Sequence, residues 1–202
     1  MTALAFAAPS ALAEVRGHFT SEASSTTITG APSAGSSVKF SFNGGTPIEC
    51  TKITYTAVMP APTTNVKTLV PHYTECRTEG SGPHNVTITT KGCDFTIFSA
   101  PALSQATAAM DCPSGVSGMA FHHPNCTISV PAQSFGGGVS YGTTTEFGKH
   151  AITVATSIGS ITAHYESGIC VFLGTKHTGA MSGSLTLRGA NASGEAVGIT
   201  VT

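Results

Sequence analysis

Short segments in which apolar and polar residues alternate recur along this 202-residue chain. In residues 37–42, for example, Val38, Phe40 and Phe42 fall on one side of an extended segment, while Lys39 falls on the other. A period of two is that of a β-strand, whose successive side chains point to opposite faces of a sheet. Because glycine or proline separates most of these segments, the sequence predicts an all-β protein built from many short strands.

The predicted architecture is an antiparallel β-sandwich of the jelly-roll or immunoglobulin-like kind, and a β-barrel is the alternative. Two hairpins are predicted, one turning at Asn43-Gly44 and the other at Lys91-Gly92, since these pairs suit tight turns between alternating segments. Residues 102–110 permit at most a short helix or another strand. Further strand candidates are residues 16–20, 26–29, 53–57, 66–70, 126–130, 151–156, 160–165, 169–173, 184–188 and 196–201.

The first 13 residues resemble a secretion signal, because they are small or apolar and end in Ala11-Leu12-Ala13, the pattern that precedes signal-peptidase cleavage. The apolar run is short and no Lys or Arg precedes it, so we expect a truncated or mis-started leader. Residues 14–202 are expected to form a single secreted β-sandwich domain. No later apolar run approaches the roughly 20 residues of a membrane-spanning helix, so no transmembrane segment is expected.

The chain contains six cysteines and no C-x-x-C pair. An even number of cysteines behind a leader is typical of disulfides formed in an oxidising compartment, although reduced cysteines in a cytosolic core are the alternative. Sequential pairing is preferred because it joins strands that are neighbours in a hairpin-rich sheet. The predicted disulfides are Cys50–Cys76, Cys93–Cys112 and Cys126–Cys170.

Charged residues make up only 9 % of the chain, and the formal net charge is −1. Such a chain has no basic surface for phosphate groups, so nucleic acid is not an expected partner. Hydrophobic residues make up 40 %, which is enough for a folded core. The surface is therefore expected to be neutral and rich in hydroxyl groups.

Residues 138–142 (GVSYG) match the G-x-S-x-G pattern that holds a nucleophilic serine in α/β-hydrolases. Ser140 would be the nucleophile, with His150 or His177 as its base. The pattern requires a strand, a sharp turn and a helix, and residues 143–146 do not have a helical pattern. A secreted hydrolase is therefore the least favoured alternative, and the protein is expected not to be an enzyme.

A second cluster of reactive side chains is His122, His123 and Cys126. Adjacent histidines in an extended segment point in opposite directions, so a closed zinc site would need distant ligands such as His84 or His150. Because Cys126 is also assigned to a disulfide, no metal and no cofactor are expected.

Glu49 and Glu75 each precede a cysteine of the first predicted disulfide. If that bond forms, the two carboxylates lie on neighbouring strands and could bind calcium or act as acid and base on a glycoside. The favoured alternative is that Lys52 and Arg77, which are close in sequence, form exposed cross-strand ion pairs with them.

If the protein is a carbohydrate- or small-ligand-binding module, its concave binding face is expected near Tyr141, Tyr165 and the glycine-rich residues 136–142. The three glycines at 136–138 are predicted to form a loop or bulge. The chain has no tryptophan and only four tyrosines, which weakens the case for stacking on sugar rings.

The sequence therefore predicts a secreted, non-enzymatic β-protein at the cell exterior or cell surface, with a structural, assembly or binding role. A carbohydrate- or small-ligand-binding module is the first alternative. Partners would be further copies of the chain or an extracellular glycan. For assembly, the candidate exposed edge strands are residues 196–201 and residues 26–29.

Overall fold

In a computed structural model, the described part of the chain comprises residues 18–64, 66–80, 85–98, 106–168 and 178–202. No helix occurs in these ranges, and none of them contains a helix that could span a lipid bilayer. The strands are β1 (Phe19–Ser21), β2 (Thr26–Pro32), β3 (Val38–Phe42), β4 (Ile48–Met59), β5 (Thr63–Thr64), β6 (Val66–Thr78), β7 (Thr87–Thr89), β8 (Asp94–Phe98), β9 (Ala106–Asp111), β10 (Met119–His123), β11 (Cys126–Val130), β12 (Gln133–Glu146), β13 (Lys149–Thr162), β14 (His164–Gly168), β15 (Thr178–Ala190), β16 (Ala196–Val197) and β17 (Ile199–Val201).

Eight strands form a closed antiparallel barrel in the order β13-β12-β9-β8-β6-β4-β2-β15. Closure comes from a long ladder between β13 and β15, in which Ile152 pairs with Leu187 and Thr162 with Thr178. In an open sheet these two strands would be edges. The β-sandwich that the sequence favoured is therefore not confirmed, and the barrel alternative fits. Alternation of side chains is the same in both architectures, so it did not distinguish them.

Strands β2 and β3 together occupy one position in the barrel, because both lie between β4 and β15. Residues 33–37 interrupt this position between the two strands. Residues 27–29 therefore pair with β15 on one side and with β4 on the other, and Thr26 pairs with Met59 of β4. The expectation that they form an exposed edge is wrong.

Two small sheets cover the ends of the barrel. The four-stranded sheet β14-β11-β10-β7 contributes Phe121, whose ring lies 4.9 Å from that of Phe40 and 5.2 Å from that of Phe42. At the other end, the three-stranded sheet β17-β1-β5 contributes Phe19, whose ring packs edge-on against Tyr141 at 5.4 Å. Aromatic side chains therefore connect each small sheet to the barrel.

The interior of the barrel is filled with side chains, as in other barrels of eight strands. A cavity near the four-stranded sheet, lined by Phe40, Phe95 and Phe121 among others, measures about 10 Å³. That volume holds no more than about one water molecule. The largest fully buried side chains are those of Tyr55, Phe121, Ile53, Met59, Met110, Met119, Ile152, Leu187, Ile199, Val38 and Val139.

The first predicted hairpin is confirmed. Asn43 and Gly44 have φ angles of 54° and 73°, and β3 and β4 pair across this turn with Val38 opposite Cys50. Val38, Phe40 and Phe42 are all buried, as their alternation predicted.

The second predicted hairpin is wrong, although its turn forms. Lys91 and Gly92 have φ angles of 53° and 81°, and the Cys93 N–H donates to the Thr90 carbonyl oxygen at 2.9 Å. Beyond the turn the strands separate, because β7 pairs with β10 in the small sheet while β8 pairs with β6 and β9 in the barrel.

Most other strand candidates coincide with observed strands. Residues 126–130 have the bounds of β11. Of residues 102–110, residues 106–110 lie in β9, and residues 102–105 lie outside the described residues. The glycines at 136–138 form a bulge, since the pairing of β12 with β9 shifts between Phe135 and Val139. The leader at residues 1–13 and the candidate strand at residues 169–173 lie outside the described residues.

Two disulfides link adjacent strands of the barrel. Cys50–Cys76 joins directly opposed residues of β4 and β6. Cys93–Cys112 lies next to the Asp94–Asp111 pair of β8 and β9. Both bonds are those that sequential pairing predicts. Cys126 is disulfide-bonded as well, but Cys170 lies outside the described residues, so the third pairing stays a prediction.

Candidate functional site

Ser140 is not joined to a histidine in the described part of the chain. It lies opposite Ala155 in the β12–β13 ladder, whereas His150 lies opposite Thr145. This offset of five residues corresponds to about 17 Å along a strand, well beyond hydrogen-bond reach. His177 lies outside the described residues. The geometry therefore provides no support for a serine hydrolase.

The histidines of β10 are used within the small sheet. A ring nitrogen of His122 lies 3.3 Å from the Thr127 hydroxyl, and one of His123 lies 3.2 Å from the Asn85 side-chain amide. Cys126 is committed to a disulfide. Within the described ranges no three His, Cys, Asp or Glu side chains are grouped so that they could hold a metal ion. His84 lies outside those ranges.

Glu49 and Glu75 each contact a basic residue on the neighbouring strand. Arg77 contacts the Glu49 carboxylate at 3.4 Å, and Lys52 contacts that of Glu75. The pKa of Glu49 is lowered, chiefly by a hydrogen bond from the Ser37 hydroxyl and also by Arg77. These contacts are the cross-strand ion pairs that the sequence favoured. A role for either carboxylate in ligand binding stays a prediction.

Tyr141 and Tyr165 lie at opposite ends of the barrel. Tyr141 is buried: its hydroxyl donates to the Phe98 carbonyl oxygen at 3.3 Å, and burial raises its pKa. Tyr165 belongs to β14 and accepts a hydrogen bond from the Asn43 side chain. Tyr141 therefore has little surface to offer a ligand, and a role for Tyr165 in ligand binding stays a prediction.

A feature that sequence reasoning missed is the tip of the hairpin between β12 and β13. Phe147 and Gly148 form a two-residue turn with φ angles of 50° and 74°, and the Phe147 side chain is 90 % exposed. Turns of this kind favour Asn-Gly. The Cβ of an L-residue in the left-handed region costs about 1–2 kcal/mol, and phenylalanine lacks the short polar side chain by which asparagine offsets this cost. Full exposure also forgoes the roughly 1.5–3 kcal/mol that burial of a phenylalanine provides. Folding alone therefore does not account for Phe147.

Ion pairs within the chain surround this tip. Glu146 pairs with Arg188 of β15, and Lys149 pairs with Glu22 at 2.8 Å. The pKa of Glu22 is lowered by the Lys149 ammonium group and by the Gly198 N–H, which donates to its carboxylate at 2.9 Å. Phe147 is thus an apolar side chain set among charges that are already paired.

A notch lies on the outer surface of the same hairpin. Its volume is about 190 Å³. It lies at the bulge, where the backbones approach closely: Gly138 has a φ of 79°, and a Cβ there would lie 2.3 Å from the Ser157 carbonyl oxygen. Val139 points into the core, while Ala155 is exposed. The lining residues are Gly138, Val139, Ser140, Ala155, Thr156 and Ser157.

The sequence does contain a signal for this tip. Two alternating segments, residues 139–145 and 150–156, flank a Phe-Gly pair at the position where a two-residue turn belongs. An aromatic residue at the first position of such a turn is the anomaly that would have marked the site.

In comparisons with known proteins, the chain matched no family model, no curated protein and no solved structure.

Proposed function

We propose that this protein is an extracellular or cell-surface β-barrel with a structural role, which it performs by assembling with further copies of itself rather than by catalysis. The observation that carries the proposal is Phe147, a fully projecting aromatic side chain at a backbone position that disfavours it. Residues held in sparsely populated backbone conformations, at a cost of about 1–3 kcal/mol, cluster at functional sites, which supports a contact role for Phe147.

The disulfides support an extracellular location. Disulfide bonds persist in oxidising compartments and are rare in the cytosol. Both described bonds lie between adjacent barrel strands, and their cysteines are largely buried in the core, with Cys50 fully buried. They are therefore structural bonds of the folded barrel.

The packed interior supports a role on the outer surface. Side chains fill the described part of the barrel, and the cavity near its four-stranded end holds about one water molecule. This cavity in the described core is far smaller than the chamber of a barrel that carries a small ligand inside. Contacts with a partner would then be made by the outer face and the loops.

Sedimentation velocity of the purified, non-reduced protein tests the assembly role. We expect a reversible, concentration-dependent increase in weight-average mass between about 1 and 500 μM, the range in which small interfaces act. A monomer at every concentration would contradict self-assembly. Glycan binding would then be the remaining candidate, and a glycan array would examine it.

Fractionation of the producing cells tests the location. The protein should be recovered outside the cytoplasmic fraction, with its cysteines protected from alkylation until a reductant is added. Recovery in the cytoplasm with reactive thiols would contradict an extracellular role.

A further inference from the structure

We infer that two copies of this chain associate by reciprocal insertion of Phe147 from each copy into the β12–β13 notch of the other. The inference rests on the proposed self-assembly and specifies its contact. It combines two features of one hairpin, an aromatic side chain that is 90 % exposed and a surface notch lined by small residues.

The notch has the size of the side chain. Its volume of about 190 Å³ exceeds the roughly 150 Å³ of a protein cavity that takes up benzene. A phenyl ring therefore fits with room for its Cβ. The lining residues are small, so the ring can enter without displacing a large side chain.

The charges of the two surfaces are compatible with this contact. None of the residues that line the notch is charged. At the tip, Glu146 and Lys149 already pair with Arg188 and Glu22 of their own chain. Insertion of Phe147 therefore brings no unpaired charge against the notch, and the desolvation cost that opposes many contacts is small.

The spacing of tip and notch permits a closed dimer. Val139 and Thr156 pair at the notch, eight residues before and after the turn, which corresponds to about 27 Å along the strands. When two such hairpins lie antiparallel about a two-fold axis, each tip reaches the notch of the other copy. An interface of this kind uses the same patch on both copies and closes at two.

The buried area indicates a weak dimer. A surface about 27 Å long and two strands wide, about 10 Å, covers roughly 270 Å² on each copy, to which two phenylalanine side chains add about 150–250 Å² each. The total lies near or below the lower limit of about 1,200 Å² for stable interfaces. We therefore expect a dissociation constant in the micromolar range rather than an obligate dimer.

Two variants separate the halves of the contact. Phe147→Asn removes the ring and places a favoured residue in the turn, so the monomer should melt at the same or a higher temperature while dimerisation weakens at least tenfold. Ala155→Trp fills the notch and should weaken dimerisation similarly. Val70→Ala is the matched control, because Val70 is an exposed valine of β6, 47 % accessible, and is distant from the hairpin. It should change the dissociation constant less than twofold.

Mixing the two variants gives the decisive result. Phe147→Asn retains an intact notch and Ala155→Trp retains an intact ring, so the mixture should form a heterodimer at concentrations at which each variant alone is monomeric. If the mixture forms no heterodimer, or if Phe147→Asn dimerises with the dissociation constant of the parent, the inference is wrong while self-assembly stands. If the parent itself is monomeric, the proposed function fails together with the inference. Circular dichroism confirms that each variant is folded.

Discussion

Removal of the Cys93–Cys112 disulfide should destabilise the barrel chiefly by releasing its unfolded chain. The two cysteines are 19 residues apart in sequence. In the chain-entropy description, closing a loop of that length stabilises the native state by about 3 kcal/mol. Asp94 and Asp111 pair directly beside the bond, so the β8–β9 ladder holds the native register without it. The double variant Cys93→Ala with Cys112→Ala should therefore fold but melt earlier.

The expected change in melting temperature follows from the size of the chain. For a protein of 150–250 residues, each kcal/mol corresponds to about 2–4 °C, so the loss should be about 6–12 °C. Differential scanning calorimetry of the double variant against the parent measures it. Removal of Cys50–Cys76 should cost at least as much, because that bond closes 26 residues and Cys50 is fully buried. A loss below about 2 °C for either pair would show that the cross-links do not constrain the unfolded chain.

Four further substitutions test local features of the barrel. The pKa of Asp94 is raised by burial and by the neighbouring Asp111 charge, so its stabilising contribution is lost as pH rises through the folded pKa. Asp94→Asn should therefore raise the melting temperature at pH 7 by about 1–3 °C and have little effect at pH 3. The pKa of Glu49 is lowered below its usual 4.5, so Glu49→Gln should lower the melting temperature at pH 7, and this loss should vanish as pH falls through the folded pKa. Gly138→Ala should lower the free energy of unfolding in urea by about 2 kcal/mol or more, because this glycine has a left-handed φ and no space for a Cβ. The control Gly136→Ala should lower it by less than about 0.5 kcal/mol, because a Cβ there would meet nothing within 4 Å. The expectations would be contradicted if either carboxylate variant differed from the parent by the same amount at both pH values. They would also be contradicted if Gly138→Ala and Gly136→Ala lowered the free energy of unfolding equally.

Local structure could be predicted from the sequence because its causes are local. Alternation placed Val38, Phe40 and Phe42 in the core, and Asn43-Gly44 produced the turn that its φ preferences predict. The closure of the barrel could not be predicted in this way. It depends on the pairing of β13 with β15, and alternating strands pair equally well as edges of a sandwich or as neighbours in a barrel.

The turn at Lys91-Gly92 also shows that a local sequence pattern does not determine which strands pair. Its backbone conformation is that of a hairpin, yet β7 and β8 enter different sheets. The choice is made by residues distant in sequence: Phe121 and its neighbours on β10 pair with β7, and Cys112 holds Cys93 beside β9. A turn specifies its own dihedral angles but not the partners of the strands beyond it.

The candidate site was missed for a related reason. Sequence reasoning sought residues with known chemistry, such as Ser140 and the histidines, whereas Phe147 is informative only once its exposure and φ are known. Tyr141 illustrates the converse. Its residue type is one that often binds ligands, but its position on the inward face of β12 buries it.

The central claim is that eight strands close into an antiparallel barrel through the pairing of β13 with β15. Backbone nuclear Overhauser contacts across the β13–β15 ladder test closure most directly. Ile152 should show contacts to Leu187, Val154 to Leu185 and Ile158 to Met181, as the observed register requires. Contacts along the neighbouring β12–β13 ladder without any between β13 and β15 would contradict the account, because these strands would then be the free edges of an open sheet.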